Sequence, residues 1–134
     1  MLIGLLHLHR TLAYLLFGVA LMNVGLALSR GRTDPRMAGL VGGITRYGIR
    51  MGGGLTVLGG VALWSMSPHI PLTATWTWAS LVLWVPVELC GSRLLLPEVA
   101  LVQDGGMGTN RMLFGALGQL LLIAIIFGLM SAHP

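Results

Sequence analysis

Residues 73–94 read TATWTWASLVLWVPVELCGSRL, an apolar stretch with Glu88 as its lone carboxylate and Arg93 at its end. An α-helix rises about 1.5 Å per residue, so roughly 20 such residues cross the hydrocarbon layer of a bilayer. Three more runs have the same character, over residues 11–29, 45–66 and 112–131. In lipid each backbone amide must be paired inside its own helix, and the connections are too short for a soluble domain. The chain is therefore expected to be all-α: one integral membrane domain, residues 1–134, folded as a bundle of four transmembrane helices.

Composition agrees with this. Of the 134 residues 55% are hydrophobic and 9% charged, and the mean hydropathy is +0.86; a soluble domain is about 25% charged. The net charge of +4 comes from eight arginines against four acids, with no lysine. Topology explains it better than nucleic-acid binding does. Arg30, Arg32, Arg36, Arg46, Arg50, Arg93 and Arg111 all fall at one end of the four runs. The positive-inside rule makes that end cytoplasmic, in the inner membrane of a bacterium, and puts both termini on the outer side. Trp64, Trp76 and Trp78 flank the outer turn SPHIP (67–71) and suit the headgroup layer. The first run is expected to be a retained span rather than a cleaved signal, with Arg10 as the lone basic residue just ahead of its apolar core. Cys90 has no second cysteine to pair with.

Local signals refine the boundaries. Asp34 followed by Pro35 makes an N-cap and first-turn pair, so the second helix should start ahead of its span and run long. Its centre carries Gly48, Gly52, Gly53, Gly54, Gly59 and Gly60, small residues that allow close helix contact in lipid. Pro97 is expected to end the third helix, with Asp104, Gly105 and Gly106 as the turn and Asn110 as the cap of the fourth.

Counting depth from the cytoplasmic end places Glu88 and Arg50 each roughly 9 Å inside their spans. Asn23 and Gln119 fall at a similar level. An ionised side chain at mid-bilayer costs about 2.5 to 3.5 kcal/mol on insertion scales, so Glu88 needs a cation or a proton. The expectation is a buried polar layer in which a Glu88–Arg50 pair is bridged by Asn23 and Gln119, with Arg46 in reserve. Helical spacing supports inward faces: Ala13, Leu16, Ala20, Asn23 and Ala27 in helix one, and Met112, Gly115, Ala116, Gln119, Ile123 and Ile126 in helix four. Pro86 frees a carbonyl one turn before Glu88 and predisposes helix three to bend.

All four histidines fall at the outer end: His7, His9, His69 and His133. Extending the two inward faces reaches His9 and His133, so His7, His9 and His133 are candidate haem ligands, and His9, His69 and His133 a candidate set for zinc or copper. Plain interfacial histidine is the alternative. The chain offers no catalytic nucleophile–base pair and no nucleotide-binding loop.

LLHLHR before the first helix, TRYGIRM opening the second, TWTW opening the third and the tail LLLIAIIFGLM together resemble the four-helix membrane family of HemJ-type protoporphyrinogen oxidases and their CopD-like relatives. That resemblance implies haem binding through His7 or His9, and porphyrinogen oxidation in which a helix-three lysine matters. Here Ser80 stands near the place of that lysine, and GALGQ stands where the family tends to an Asn-Glu-x-Pro pattern.

Three functions remain open. The first is a non-catalytic accessory or assembly subunit of a larger respiratory or photosynthetic membrane complex, with lipid and other membrane subunits as partners. The second is a redox protein holding haem b near His9 and His133, or a quinone near Arg50 and Glu88. The third is a small proton-linked transporter working through Glu88.

Overall fold

The computed structural model describes residues 1–71 and 73–132. Among them the architecture is all-helical. Three stretches, Leu2–Leu28, Thr75–Gln103 and Asn110–Ala132, are long and apolar enough to cross a membrane. The run expected over 45–66 is not one of these. It is helical, but its glycines together with Arg46 and Arg50 dilute its apolar character, and its final α-helical part is 15 residues long.

Helix α1 (Leu2–Leu28) buries Leu16, Ala20, Asn23, Val24 and Ala27 on one face. This is the expected stripe, except that Ala13 is only half-buried. Asp34 then caps helix α2 (Pro35–Gly43): its carboxylate accepts from the Arg36 N–H at 2.9 Å, and Pro35 occupies the first turn, where a missing N–H costs nothing. The helix continues through a π-helical segment (Ile44–Met51) into α3 (Gly52–Met66). Helix α4 (Thr75–Leu89) holds Pro86 internally and passes through a second π-helical segment (Cys90–Leu95) into α5 (Leu96–Gln103).

Pro97 does not end the third run. It sits in the first turn of α5, just past the π segment, where its lack of an N–H is tolerated. Burial of Leu95, Val99 and Val102 carries the helix on to Gln103. The chain turns only at Gly105, whose φ of +93° belongs to glycine. Nor does Asn110 cap α6 (Asn110–Ala132), since it is already helical. Thr109 takes that role, its hydroxyl accepting from the Arg111 N–H at 3.3 Å, while Asn110 Oδ1 accepts from Arg32 Nη1 at 3.2 Å.

Helix α1 packs against α3 and α6, and α4 packs against α6. The second and third runs meet through α2 and α5, whereas their other ends, α3 and α4, do not pack closely. Side-chain size accounts for this. Gly42 lets α2 approach until a Cβ there would lie 3.0 Å from Val99 Cγ1. In the other half Trp84 lies against Gly53 so closely that a Cβ at that glycine would collide with the indole. Trp64 meets Trp78 edge-on at 5.3 Å and donates from Nε1 to the Pro71 carbonyl at 3.3 Å.

Two cores result. One, near the 29–34 and 104–109 loops, joins Val24, Ala38, Val41, Leu95, Val99, Val102 and Met112. The other, at mid-length, joins Leu16, Ala20, Ile49, Val87 and Ile123.

Candidate functional site

Beyond the mid-length core, toward the N-terminus, the separation of α3 from α4 leaves a cavity of about 690 Å³. Small-molecule sites occupy roughly 300 to 1,000 Å³. Leu16, Trp84 and Ile123 belong both to the cavity wall and to the mid-length packing, so that core closes the cavity's inner end. The remaining wall is mostly apolar and aromatic, with His9, Arg10, Thr56, Thr77 and Ser80 as its main polar members.

His9 reaches this wall because helix α3 is bare opposite it. A Cβ at Gly60 would lie 3.0 Å from His9 Cε1, and one at Gly59 would lie 3.6 Å from Nδ1. His9 Nδ1 is buried without a well-formed hydrogen bond, although the ring lies within reach of the Thr56 backbone, and Thr77 Oγ1 is buried without a partner. Ser80, by contrast, is satisfied within its own helix, donating to the Trp76 carbonyl at 2.8 Å. A buried polar atom left unpaired costs about 1 to 3 kcal/mol, so unpaired atoms on a cavity wall mark where a polar ligand group would be held.

The remaining histidines lie elsewhere. His7 and His69 are exposed and do not line the cavity. His133 lies outside the described residues, so its expected meeting with His9 does too. Among the described residues no three of His, Cys, Asp and Glu converge as a metal site.

The residues of the expected polar layer separate into two groups. Arg50 Nε donates to Glu88 Oε2 at 3.1 Å, on the outside of the molecule, with side chains 50% and 32% exposed. Arg46 is exposed as well. Asn23 and Gln119 are buried and bond elsewhere: Asn23 Nδ2 donates to Thr45 Oγ1 at 3.0 Å and Gln119 Nε2 to the Val87 carbonyl at 3.1 Å, while Asn23 Oδ1 and Gln119 Oε1 are left without a partner. Thr45 in turn donates to the Val41 carbonyl at 2.8 Å. Gly91 gives these side chains room, because a Cβ there would lie 2.8 Å from Gln119 Nε2 and 3.0 Å from Thr45 Cγ2. A step of one residue along a helix turns about 100°, so Val87 and Ile49 face inward while Glu88 and Arg50 face outward.

Three participants carry no strong sequence signal. Thr45 and Thr77 are ordinary hydroxyls within apolar runs. Glu98, in a stretch expected to be loop, is buried and accepts from both the Thr109 N–H and its hydroxyl at 2.7 Å each.

No family model matches this chain, and no curated protein or solved structure is significantly similar to it. The likeness to the HemJ and CopD group rests on the quoted residues alone.

Proposed function

We propose that the chain is a small multi-pass protein of the bacterial inner membrane that holds a lipid-soluble redox ligand, haem b or a quinone, in the cavity beside His9. In this reading all four helical runs cross the membrane as one bundle, with the arginine-rich loops inside and both termini outside. The observation that carries it is the 690 Å³ apolar cavity with two buried polar atoms on its wall that lack a well-formed hydrogen bond, His9 Nδ1 and Thr77 Oγ1.

The wall suits either ligand. For haem it offers one imidazole, His9, and one thioether, Met130, both known types of axial ligand. Bound haem would supply one-electron transfer. For a quinone, His9 and the Thr77 hydroxyl are the groups available to its carbonyls. The Arg50–Glu88 pair is the poorer quinone candidate, because neither residue lines the cavity. Visible spectra of the protein, purified in mild detergent and recorded oxidised and reduced, test the haem form. Organic extraction with chromatography tests the quinone form. A Soret band abolished by His9→Ala supports the first; absence of both a Soret band and an extractable quinone overturns the proposal.

A subunit role is favoured by a different observation. Gly4, Gly18 and Gly25 repeat at multiples of seven along α1, and a Cβ at any of them would meet nothing within 4 Å. Such an open face suits close approach by another membrane helix. Co-purification of a stoichiometric partner, lost on Gly18→Leu, is its test.

A further inference from the structure

Arg10 lies eight residues into α1, about 12 Å along it from Leu2 at 1.5 Å per residue. The chain's other arginines gather toward the opposite end of the helices. An ionisable side chain within an apolar helix is costly, and it is kept where something compensates it. Among the described residues the one ion pair is Arg50–Glu88, so none of them supplies an acid to Arg10, which is exposed. It stands on the cavity wall next to His9, and no Asp or Glu lines that cavity. Among the described residues the lining is thus mostly apolar, with one arginine and no negatively charged side chain. Hydroxyls of Ser67, Thr77 and Ser131 on the same wall add further possible donors.

We propose that the compensating charge is brought by the ligand: the cavity takes an anionic amphiphile, whose carboxylate or phosphate pairs with Arg10 while its hydrocarbon body fills the space between α3 and α4. This rests on the cavity being a ligand site; of the two redox ligands proposed for it, haem b with its propionates meets this charge and a neutral quinone does not. A guanidinium binds either oxyanion through paired N–H donors, which an ester or an alcohol cannot match. Simple snorkelling of Arg10 to the headgroup layer would give no preference for what enters the cavity.

Trp64, Trp76 and Trp84 line the cavity and provide the readout. The full-length protein in dodecyl maltoside is titrated with 9,10-dibromostearate, whose bromines quench indole fluorescence on contact, and in parallel with its methyl ester. The acid is expected to quench at about tenfold lower mole fraction than the ester, because only the acid makes a charge-assisted hydrogen bond to the guanidinium. Arg10→Gln should remove that preference and Arg10→Lys should keep most of it, with circular dichroism confirming that both variants fold. Competition then separates the oxyanions: release of the probe by oleate alone assigns a carboxylate, and release by dioleoyl phosphatidic acid alone assigns a phosphate. Equal quenching by acid and ester, or an unchanged preference in folded Arg10→Gln, overturns the charge assignment while leaving the cavity as a ligand site. Absence of quenching by either probe overturns both.

Discussion

The half of the molecule near the 29–34 and 104–109 loops and the half near His9 are made from the same four helical runs, yet they differ in how closely those runs pack around their polar groups. In the loop half Asp34, Thr45, Glu98, Thr109 and Asn110 all have partners. Asn23 Oδ1 and Gln119 Oε1 are unpaired where helices pack tightly, whereas His9 Nδ1 and Thr77 Oγ1 are unpaired on residues that line a cavity. The difference follows from what separates the second and third runs: Gly42 against Val99 in one half, Trp84, Trp64 and Trp78 in the other. Small residues let helices close, whereas indoles prop them open and leave a cavity. One half works as a fastener and the other encloses a cavity.

The sharpest way to break this contrast is to disable the fastener at Glu98. Glu98→Ala removes a buried carboxylate that accepts two 2.7 Å bonds from Thr109, and it strands the Thr109 N–H at the start of α6. Bonds to charged groups are worth about 1.5 to 3 kcal/mol each, and a loss of about 3 kcal/mol is expected. Denaturant unfolding in detergent measures it. A change below about 1 kcal/mol would show that the loop half is held by apolar packing alone.

Gly91→Ala comes next. Its methyl would press on Gln119 Nε2 and Thr45 Cγ2 together, where α1, α6 and the two π segments converge. Overpacking of this kind costs about 1 to 3 kcal/mol, and Gln119→Ala in the same chain should return part of it by clearing the space. Additive losses in the double variant would mean that the two residues do not share that space.

A matched pair of substitutions then sets the halves directly against each other. Thr45→Val removes a hydroxyl that accepts from Asn23 and donates to the Val41 carbonyl, and it should cost about 1 to 2 kcal/mol. Thr77→Val removes a hydroxyl that has no partner, so it should be neutral or stabilise the ligand-free protein by up to about 1 kcal/mol. Equal losses at both positions would contradict the division into a closely packed half and one opened by a cavity.

How much of this was legible in the sequence depends on which physical rule wrote each feature. Hydrophobic length gave the helical character and three runs able to cross a membrane, and the Asp34–Pro35 signal gave the start of α2 correctly. The inward stripes of α1 and α6 could be read because periodicity fixes which residues share a face. Pro97 misled because a proline stops a helix only where its N–H is needed. The polar layer needed rotation about each axis as well as depth, and no single carboxylate announces its own rotation. The cavity was not legible at all: it arises where glycines on α3 meet His9 and Trp84 from other helices, a coincidence between segments that no local pattern records.

The smallest effect is expected at the residue that looks most conspicuous in the sequence. Glu88 pairs with Arg50 at 3.1 Å, but both side chains are substantially exposed, and exposed pairs contribute about 0 to 1 kcal/mol. Glu88→Gln keeps the size of the side chain and an acceptor for Arg50 Nε, so the unfolding midpoint should move little, and by no more than the Arg50→Gln change. If Glu88→Gln instead costs as much as Glu98→Ala, the pair must be covered by something other than solvent, and another subunit's helix against that face becomes the better account. Repeating the measurement with the protein captured in its native lipid separates the cases: a covered pair loses the same amount in detergent only while its partner stays bound, whereas an exposed one loses little in either setting.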